Sequence, residues 1–166
     1  RKSIFDAFIA LRAKKPLEKI TVKELADEAM INKATFYLHF NDIYHLSDAI
    51  ENELIHSKIE QISRLSDTLK SPYDITKAFF DVFSEEKNLT KILFADNRRG
   101  IFVNKLEKEM KAFTFEKYPE YKDSVEKHIA LSMLIQGALH TYYNNNEWDT
   151  QTIEEVISKL SELILS

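Results

Sequence analysis

The chain has no cysteine, and only two glycines and three prolines among its 166 residues. Without cysteine it can form neither a disulfide bond nor a thiolate metal site, which fits a cytoplasmic protein. It has no run of about 18 uninterrupted apolar residues, the length that a membrane-spanning helix needs, so we expect no membrane partner. So few helix-breaking residues predict an all-α fold.

Catalytic chemistry finds little support in the sequence. Two glycines could hardly form a glycine-rich phosphate loop or a G-x-S-x-G nucleophile elbow. The histidines, at positions 39, 45, 56, 128 and 140, show no H-x-x-x-H or H-x-H spacing. The paired acids Glu85-Glu86 and Glu154-Glu155 are typical of solvated helix faces. We therefore predict that the protein is not an enzyme and holds no metal or cofactor.

Charge is distributed unevenly along the chain. The net charge is −4, but residues 1–46 carry eight basic and six acidic side chains, and the remaining residues carry the acidic excess. Local surface charge, not the total, governs contact with phosphates. We predict two domains, residues 1–46 and 47–166. Because the sequence begins with Arg1 and not with methionine, we expect that further residues precede it in the native protein.

A capped amphipathic helix is predicted to begin after Thr21. Glu24 stands three residues later, which is the capping-box spacing, and apolar residues then recur at helical intervals. Met30 and Ile31 interrupt this pattern. Asn32 is a good N-cap for a second short helix, which we predict over residues 33–39.

The second short helix has two different sides. Phe36 and Phe40 are four residues apart and share the inner side. The outer side carries cationic, hydroxyl and aromatic donors with no acid, which suits phosphate oxygens and base edges. The outward residues are Lys33, Ala34, Thr35, Tyr37 and His39. The spacing predicts a helix-turn-helix motif that binds DNA.

The segments ITVKELADEA and KATFYLHF carry a more specific signal. With the turn between them and a helix beginning near Asp42, they resemble the DNA-binding domain of the TetR family of bacterial transcription regulators. The resemblance covers roughly residues 1–50. Two positions depart from the family pattern: Met30 stands where glycine is usual in the turn, and Ile43 stands where a phosphate-binding lysine is common.

The resemblance implies which residues contact DNA. Thr21 would contact a phosphate near the helix start, Lys23 the flanking backbone, and Ala34 a thymine methyl group. The complete predicted DNA-binding set is Thr21, Lys23, Lys33, Ala34, Thr35, Tyr37 and His39.

The remaining helices follow from apolar periodicity and capping residues. Ser71 as N-cap and Pro72 at the first position predict the start of one helix. Asp149 or Thr150 is predicted to cap the last helix, after a turn at residues 144–146. We predict the other helices over residues 2–13, 42–69, 89–95, 101–115 and 123–143. A break at residues 97–100 separates the third and fourth of these.

The last two helices are apolar over more than one face. They could pack entirely into the core of this chain, or partly against a second copy. The resemblance favours the second arrangement, in which both helices form a four-helix bundle with the same pair of a partner. A two-fold homodimer would present two recognition helices to successive major grooves. The predicted interface residues are Ile129, Met133, Leu134, Gly137, Ile153, Val156, Ile157, Leu160 and Leu163.

Family members commonly hold a small-molecule effector among their central helices. The resemblance therefore implies a pocket, whose predicted residues are His56, Phe79, Phe83, Arg98, Phe102, His128 and Gln136. Further candidates are Phe80, Phe94, Arg99, Phe113 and Tyr142. For each aromatic residue taken alone, an ordinary core position explains its presence better.

We interpret the chain as a transcription regulator, specifically a repressor that binds a palindromic operator as a homodimer and is released by a small-molecule effector. The alternative is a protein-interaction module of the same fold that works through a protein partner and binds no operator. Met30, Ile43 and the acidic total favour this alternative. Binding to duplex DNA at two salt concentrations distinguishes the two.

Overall fold

The computed structural model describes residues 2–93, 95–145 and 147–166, except for the side chain of Asp96. Phe94 and Asn146, which the sequence placed in the pocket and in the turn before the last helix, lie outside these residues. The described residues form α-helices, short 3-10 turns and loops, without a strand. None of their helices is both long and apolar enough to cross a membrane.

The helices follow the predicted order, and their bounds are these: α1 Lys2–Arg12, α2 Val22–Glu28, α3 Lys33–Tyr37, α4 Ile43–Arg64, α5 Pro72–Ser84, α6 Lys87–Leu93, α7 Arg99–Lys117, α8 Val125–Asn144 and α9 Thr150–Leu165. Three 3-10 turns, Leu17–Lys19, Asp96–Arg98 and Pro119–Tyr121, lie between helices. The all-α prediction is thus confirmed.

Most predicted helix ends lie within two residues of those in the structure, including the end of α3 at Tyr37 where residue 39 was predicted. Two differences have a clear physical reason. Helix α4 ends at Arg64 and not near residue 69, because i→i−3 hydrogen bonds such as Leu65 N to Ile62 O and Thr68 N to Leu65 O tighten the chain into turns. Gly100 does not separate two helices. The Asp96–Arg98 turn provides the break, and Gly100 lies in the first turn of α7.

The chain divides into two compact units. The first contains residues 1–54 and 88–102, and the second contains residues 55–87 and 103–166. The domain boundary predicted after residue 46 puts residues 47–54 and 88–102 in the C-terminal domain, whereas the structure puts them in the first unit. Side-chain contacts explain their place in the first unit: the guanidinium of Arg98 bonds to Glu51 at 3.1 Å and to Asp48 at 2.5 Å, and Arg12 donates to the carbonyl of Ile92 at 3.2 Å.

The core of the first unit holds the helix-turn-helix from behind. Phe8 of α1, Leu25 of α2 and Phe36 of α3 are buried together with Leu46 and Ile50 on the first half of α4. Because these residues lie on the inner sides of α2 and α3, the opposite sides of both helices face solvent. The arrangement positions α3 as an exposed helix on a packed support.

In the second unit, α9 packs on α5 and α8. Polar bonds fix the register of α9 on α5: the Tyr73 hydroxyl donates to Glu155 at 2.7 Å, and the Tyr73 amide donates to Glu162 at 3.0 Å. The Thr76 hydroxyl donates to Ser161 at 2.8 Å. One face of α9 is therefore committed to the core of its own chain.

Candidate nucleic-acid interface, apolar surface and cavity

Helix α2 begins with the predicted capping box. The Thr21 hydroxyl accepts from the amide of Glu24 at 3.2 Å, and the Glu24 carboxylate accepts from the Thr21 amide at 3.2 Å. Lys15 pairs with the same carboxylate, and its hydrogen bond, followed by those from Thr21, lowers the pKa of Glu24. The Thr21 hydroxyl also donates to Glu24 at 3.0 Å. Thr21 could donate to a phosphate only if this bond broke.

The turn after α2 is a Schellman motif. The amide of Ile31 donates to the carbonyl of Ala26 at 2.9 Å, and the amide of Met30 donates to that of Asp27 at 3.2 Å. Met30 holds the left-handed position of this motif with φ 54°. Glycine occupies such positions without steric cost, whereas a side chain does not. The departure at Met30 therefore leaves the turn geometry intact and costs backbone strain.

Asn32 caps α3 as predicted. Its side-chain oxygen accepts from the amide of Thr35 at 2.7 Å and from the Thr35 hydroxyl at 3.0 Å. The Thr35 hydroxyl is thus engaged in the cap, and Thr35 is half-buried. Thr35 is therefore not available as a donor to another molecule. The donors that remain are the other polar residues on the exposed side.

Those remaining donors project from a rigid support. Phe36 and Phe40 are buried with ring centroids 5.8 Å apart, and the Tyr37 ring meets the edge of Phe36 at 5.4 Å. Lys33, Tyr37 and His39 are exposed. Within the described part of the chain, these three side chains form no hydrogen bond or ion pair. They are free to bond to another molecule.

The structure adds an exposed residue that the sequence did not indicate. Leu38 is 82% exposed beside Tyr37, although its apolar character would suggest a core position. Lys23 and Ala34, which the resemblance assigned to DNA contact, are also exposed. Ile43, by contrast, is buried, so the position of the family's lysine here serves the core.

An apolar surface covers one side of α8 and α9. Met133 and Leu163 are 71% and 77% exposed, and other large apolar side chains accompany them: Val125, Ile129, Val156, Leu160 and Ile164. A groove of about 580 Å³ runs between Val125, Met133 and Ile164. We call these seven exposed residues the α8–α9 surface. Gly137 on α8 is also exposed, and a methyl group added there would meet open space.

Two residues of the predicted interface lie elsewhere. Ile153 and Ile157 are buried within their own chain, on the side of α9 that faces the core. The apolar stripe of α9 is wide enough to serve two faces, and the sequence pattern did not separate them. Leu134 of α8, another residue of the predicted interface, is half-buried.

A cavity of about 60 Å³ lies inside the second unit. Leu134 borders both this cavity and the groove of the α8–α9 surface. Residues of α5, α7, α8, α9 and the turn after α7 enclose the cavity: Pro72, Ile75, Thr76, Phe79, Phe80, Met110, Thr114, Tyr118, Tyr121, Leu131, Leu134, Ile135, Ala138, Leu139, Ile157, Ser161 and Leu165.

Of the seven predicted pocket residues, only Phe79 lines this cavity, and Phe83 stacks on it at 4.5 Å. His56 is exposed, while Arg98 and Phe102 belong to the other unit. The remaining two are engaged outside the cavity. His128 bonds to the carbonyl of Lys122 at 2.8 Å, and Gln136 donates to Glu107 at 2.7 Å.

The further candidates divide in the same way. Phe80 lines the cavity, and the ring of Tyr142 packs against it at 5.1 Å. Phe113 is buried without lining the cavity, and Arg99 is exposed. Among the described residues, no group of three or more His, Cys, Asp or Glu side chains is placed to hold a metal ion.

In the part of the chain that the structure describes, these features define an all-helical protein with a helix-turn-helix unit and a second helical unit that encloses a cavity. Comparison with known proteins relates the N-terminal part of the chain to a known family. Residues 4–50 match the family described as "Bacterial regulatory proteins, tetR family". The chain is 25% identical to an uncharacterised HTH-type transcriptional regulator of Bacillus subtilis, YerO, over an alignment of 185 positions. That alignment covers 99% of this chain but 64% of the relative.

The fold also has a counterpart among solved structures. A transcriptional regulator of the TerR/AcrR family from Aquifex aeolicus VF5 matches with a TM-score of 0.67 over 98% of each chain. Its sequence identity of 18% makes this a likeness of fold alone. The findings agree with the resemblance carried by residues 20–40: the N-terminal part of this chain, residues 4–50, matches the TetR family, and the chain shares its fold with the solved regulator.

Proposed function

We propose that this protein is a transcription regulator that binds DNA through the exposed side of α3. The observation that carries the proposal is a set of exposed donors without a partner among the described residues: Lys33 and Tyr37 on α3, and His39 just after it. Phe36 and Phe40 fix this segment from behind. A lysine ammonium neutralises a phosphate, and tyrosine and histidine donate to phosphate or base acceptors. Such a protein would act in the cytoplasm, where bacterial DNA lies.

The hydrogen bonds of the helix caps support a smaller set of DNA contacts. Thr21 and Thr35 use their hydroxyl protons within the caps of α2 and α3, so we assign both to positioning these helices at the DNA. Lys23 would reach the flanking backbone, and Ala34 a thymine methyl group. We add Leu38, whose exposure beside Tyr37 suits apolar contact with a thymine methyl group or a sugar.

The protein would bind its operator as a homodimer through the α8–α9 surface. A contiguous apolar surface of this kind is rare on a monomer and typical of an interface. The occupant that fits is a second copy, since a two-fold pair supplies the two recognition helices that a palindromic site requires. Gly137 would let the partner's backbone approach closely. We propose Val156, Leu160 and Leu163, together with Ile129 and Met133, as the centre of this interface.

We propose that the protein is a repressor and that the cavity receives a small-molecule effector that weakens DNA binding. This proposal is supported by the position of the cavity on α8 and α9, whose opposite sides form the α8–α9 surface. Leu134 borders both. A ligand that displaces Leu134 would favour a different dimer geometry, and so shift the population away from the form that fits DNA.

Binding to a selected palindromic duplex tests the DNA interface. Lys33→Ala should weaken binding and flatten the plot of log affinity against log salt by about 2, one phosphate for each protomer. Tyr37→Ala should weaken binding about a hundredfold or more, as expected for the loss of one hydrogen bond to a charged group in each of two protomers. The control is Lys108→Ala, an exposed lysine of α7 with the same change of charge, which should leave both quantities unchanged.

The assignment fails if Lys33→Ala and Tyr37→Ala bind as tightly as the wild type, or if Lys108→Ala has the same effect as Lys33→Ala. If the wild-type protein shows no salt-dependent binding to any selected duplex, the proposed DNA-binding function is wrong. The alternative function, a protein-interaction module of the same fold, then takes its place.

Sedimentation at micromolar concentration tests the dimer separately. Leu160→Glu should yield monomers, because it places a charge in the centre of the apolar contact. Leu65→Glu is a matched control: Leu65 is 43% exposed and Leu160 is 44%, but Leu65 lies outside the α8–α9 surface. A wild-type monomer, or a Leu160→Glu dimer as stable as the wild type, would contradict this interface.

A further inference from the structure

We propose that the cavity binds an uncharged, largely apolar small molecule with one hydrogen-bond acceptor, and that this acceptor pairs with the hydroxyl of Tyr118. The inference rests on the proposed effector role of the cavity and specifies the chemical class of its ligand. Ketones, esters and ethers of compact shape belong to this class.

The lining excludes charged ligands. Apolar side chains dominate it, and none of the described residues that enclose it is acidic, basic or a histidine. An ion moved from water into such surroundings loses its hydration and gains no opposite charge. A carboxylate or an ammonium group would therefore bind far more weakly than a neutral molecule of the same shape.

The polar groups of the lining are almost all engaged within the protein. The Thr76 hydroxyl donates to Ser161, and the Ser161 hydroxyl donates to the carbonyl of Ser158 at 2.7 Å. The Thr114 hydroxyl donates to the carbonyl of Met110 at 2.8 Å. These hydroxyls have no proton left for a ligand.

The two tyrosines of the lining differ in the same respect. Their rings stack with centroids 5.0 Å apart, at the end of α7 and in the turn that follows it. The Tyr121 hydroxyl donates to the carbonyl of Leu165 at 2.5 Å. The hydroxyl of Tyr118 is buried and has no hydrogen-bond partner among the described residues.

An unpaired buried donor is costly, and a ligand acceptor would remove that cost. Burial, and then the neighbouring Tyr121 and Glu162, raise the pKa of Tyr118, so its hydroxyl keeps its proton and acts as a donor. One free donor in an otherwise apolar site selects one acceptor on the ligand. This is the arrangement that gives orientation to a small, neutral molecule.

The size of the cavity restricts the ligand further. About 60 Å³ exceeds the space of a single water but is smaller than the cavity of roughly 150 Å³ that admits benzene in another protein. A ring of six atoms would therefore enter only if lining side chains moved outward. Leu134 is suited to that movement, since its other side borders the groove.

Three probes of similar shape test the ligand class on the full chain without DNA. Cyclohexanone carries the acceptor, methylenecyclohexane replaces the oxygen by a CH₂ group, and cyclohexanecarboxylate adds a charge. Affinities are measured by ligand-observed NMR titration for the wild type, Tyr118→Phe and Tyr121→Phe. Tyr118→Phe removes one oxygen and should leave the thermal stability unchanged or raised, because that oxygen has no hydrogen-bond partner among the described residues.

We expect Tyr118→Phe to weaken cyclohexanone about threefold to tenfold and to leave methylenecyclohexane unchanged. Tyr121→Phe should lower the thermal stability and keep the wild-type preference between these two probes. The carboxylate should not compete with either. Equal cyclohexanone affinity in Tyr118→Phe and the wild type overturns the inference. So does tight carboxylate binding, a wild type that binds neither neutral probe, or a Tyr118→Phe protein that is clearly less stable.

Adding cyclohexanone to the protein–DNA complex separates this inference from the effector role. If the ketone binds in a Tyr118-dependent way and DNA affinity stays constant, the ligand class stands and the effector role fails. If DNA affinity falls in the wild type but not in Tyr118→Phe at the same ketone concentration, both stand.

Discussion

Replacing Met30 with glycine is expected to stabilise the helix-turn-helix unit by about 1 kcal/mol. Met30 is the left-handed residue of the Schellman motif after α2, with φ 54°. A residue with a Cβ pays about 1–2 kcal/mol in that conformation, and glycine pays none of it. Glycine adds about 0.4–1 kcal/mol of conformational entropy to the unfolded chain, which offsets part of the gain. Met30 is 91% exposed, so its side chain contributes little burial.

Alanine and asparagine at the same position separate the backbone effect from the loss of the side chain. Met30→Ala keeps the Cβ and the strain, so its stability should equal that of the wild type. Met30→Asn should fall between alanine and glycine, because asparagine tolerates the left-handed region better than other side chains do. The expected order of stability is glycine, then asparagine, then methionine and alanine together.

Urea unfolding of the four proteins, followed by circular dichroism, measures these differences. In a thermal scan, the same gain of about 1 kcal/mol would raise the melting temperature. The rise would be about 4–8 °C if the first unit unfolds alone, or about 2–4 °C if the whole chain unfolds together. The reasoning is refuted if Met30→Gly is no more stable than Met30→Ala. It is also refuted if Met30→Ala is markedly less stable than the wild type, since Met30 would then contribute through packing.

Three further predictions concern single side chains. Arg98→Leu should destabilise the first unit by about 3–5 kcal/mol in a urea titration, because Glu51 is fully buried and would lose the cation beside it; full stability would refute this. Burial opposes ionisation of Glu107, but hydrogen bonds from Ser132, Lys111 and Gln136 outweigh it and lower the pKa to about 2, below the ordinary value of 4.5. Its contribution, about 2 kcal/mol after allowance for partial exposure, is therefore complete above pH 4.5 and lost as pH falls towards 2; Glu107→Gln should flatten stability over that range, and an unchanged profile would contradict it. Gly137→Leu should leave the stability of a dilute monomer unchanged and weaken dimerisation, and sedimentation would show otherwise if the dimer forms elsewhere.

The helix-turn-helix could be predicted because its signals are local. The Thr21–Glu24 capping box and the Asn32 cap each use partners three residues apart, and the inner pair Phe36 and Phe40 follows helical spacing. Such interactions are encoded within one turn of helix, so the residue types alone indicate them. Even the departure at Met30 was visible as a missing glycine.

The long-range pairings could not be predicted in the same way. The bond between Arg98 and Glu51 joins residues 47 positions apart, and it helps to explain why residues 88–102 lie in the first unit. Nothing in the spacing along the chain indicates which acid an arginine will meet. A buried Glu on an amphipathic helix is a weak signal that such a partner exists.

The two faces of α9 show a different limit. The apolar positions of α9 form one broad, uninterrupted stripe in the sequence pattern: Ile153, Val156, Ile157, Leu160 and Leu163. Only packing on α5 separates the buried Ile153 and Ile157 from the exposed Val156, Leu160 and Leu163. The same limit applies to the cavity. That the Tyr118 hydroxyl has no partner among the described residues depends on how the whole lining packs, which the sequence does not show.

Hydroxyl-radical footprinting on a selected duplex tests most directly whether paired α3 helices read DNA. Two short protected regions should lie on one face of the duplex, centred about one helical turn apart, with two protomers bound per site. Protection at a single region, or no protection at concentrations where the homodimer forms, would contradict the account.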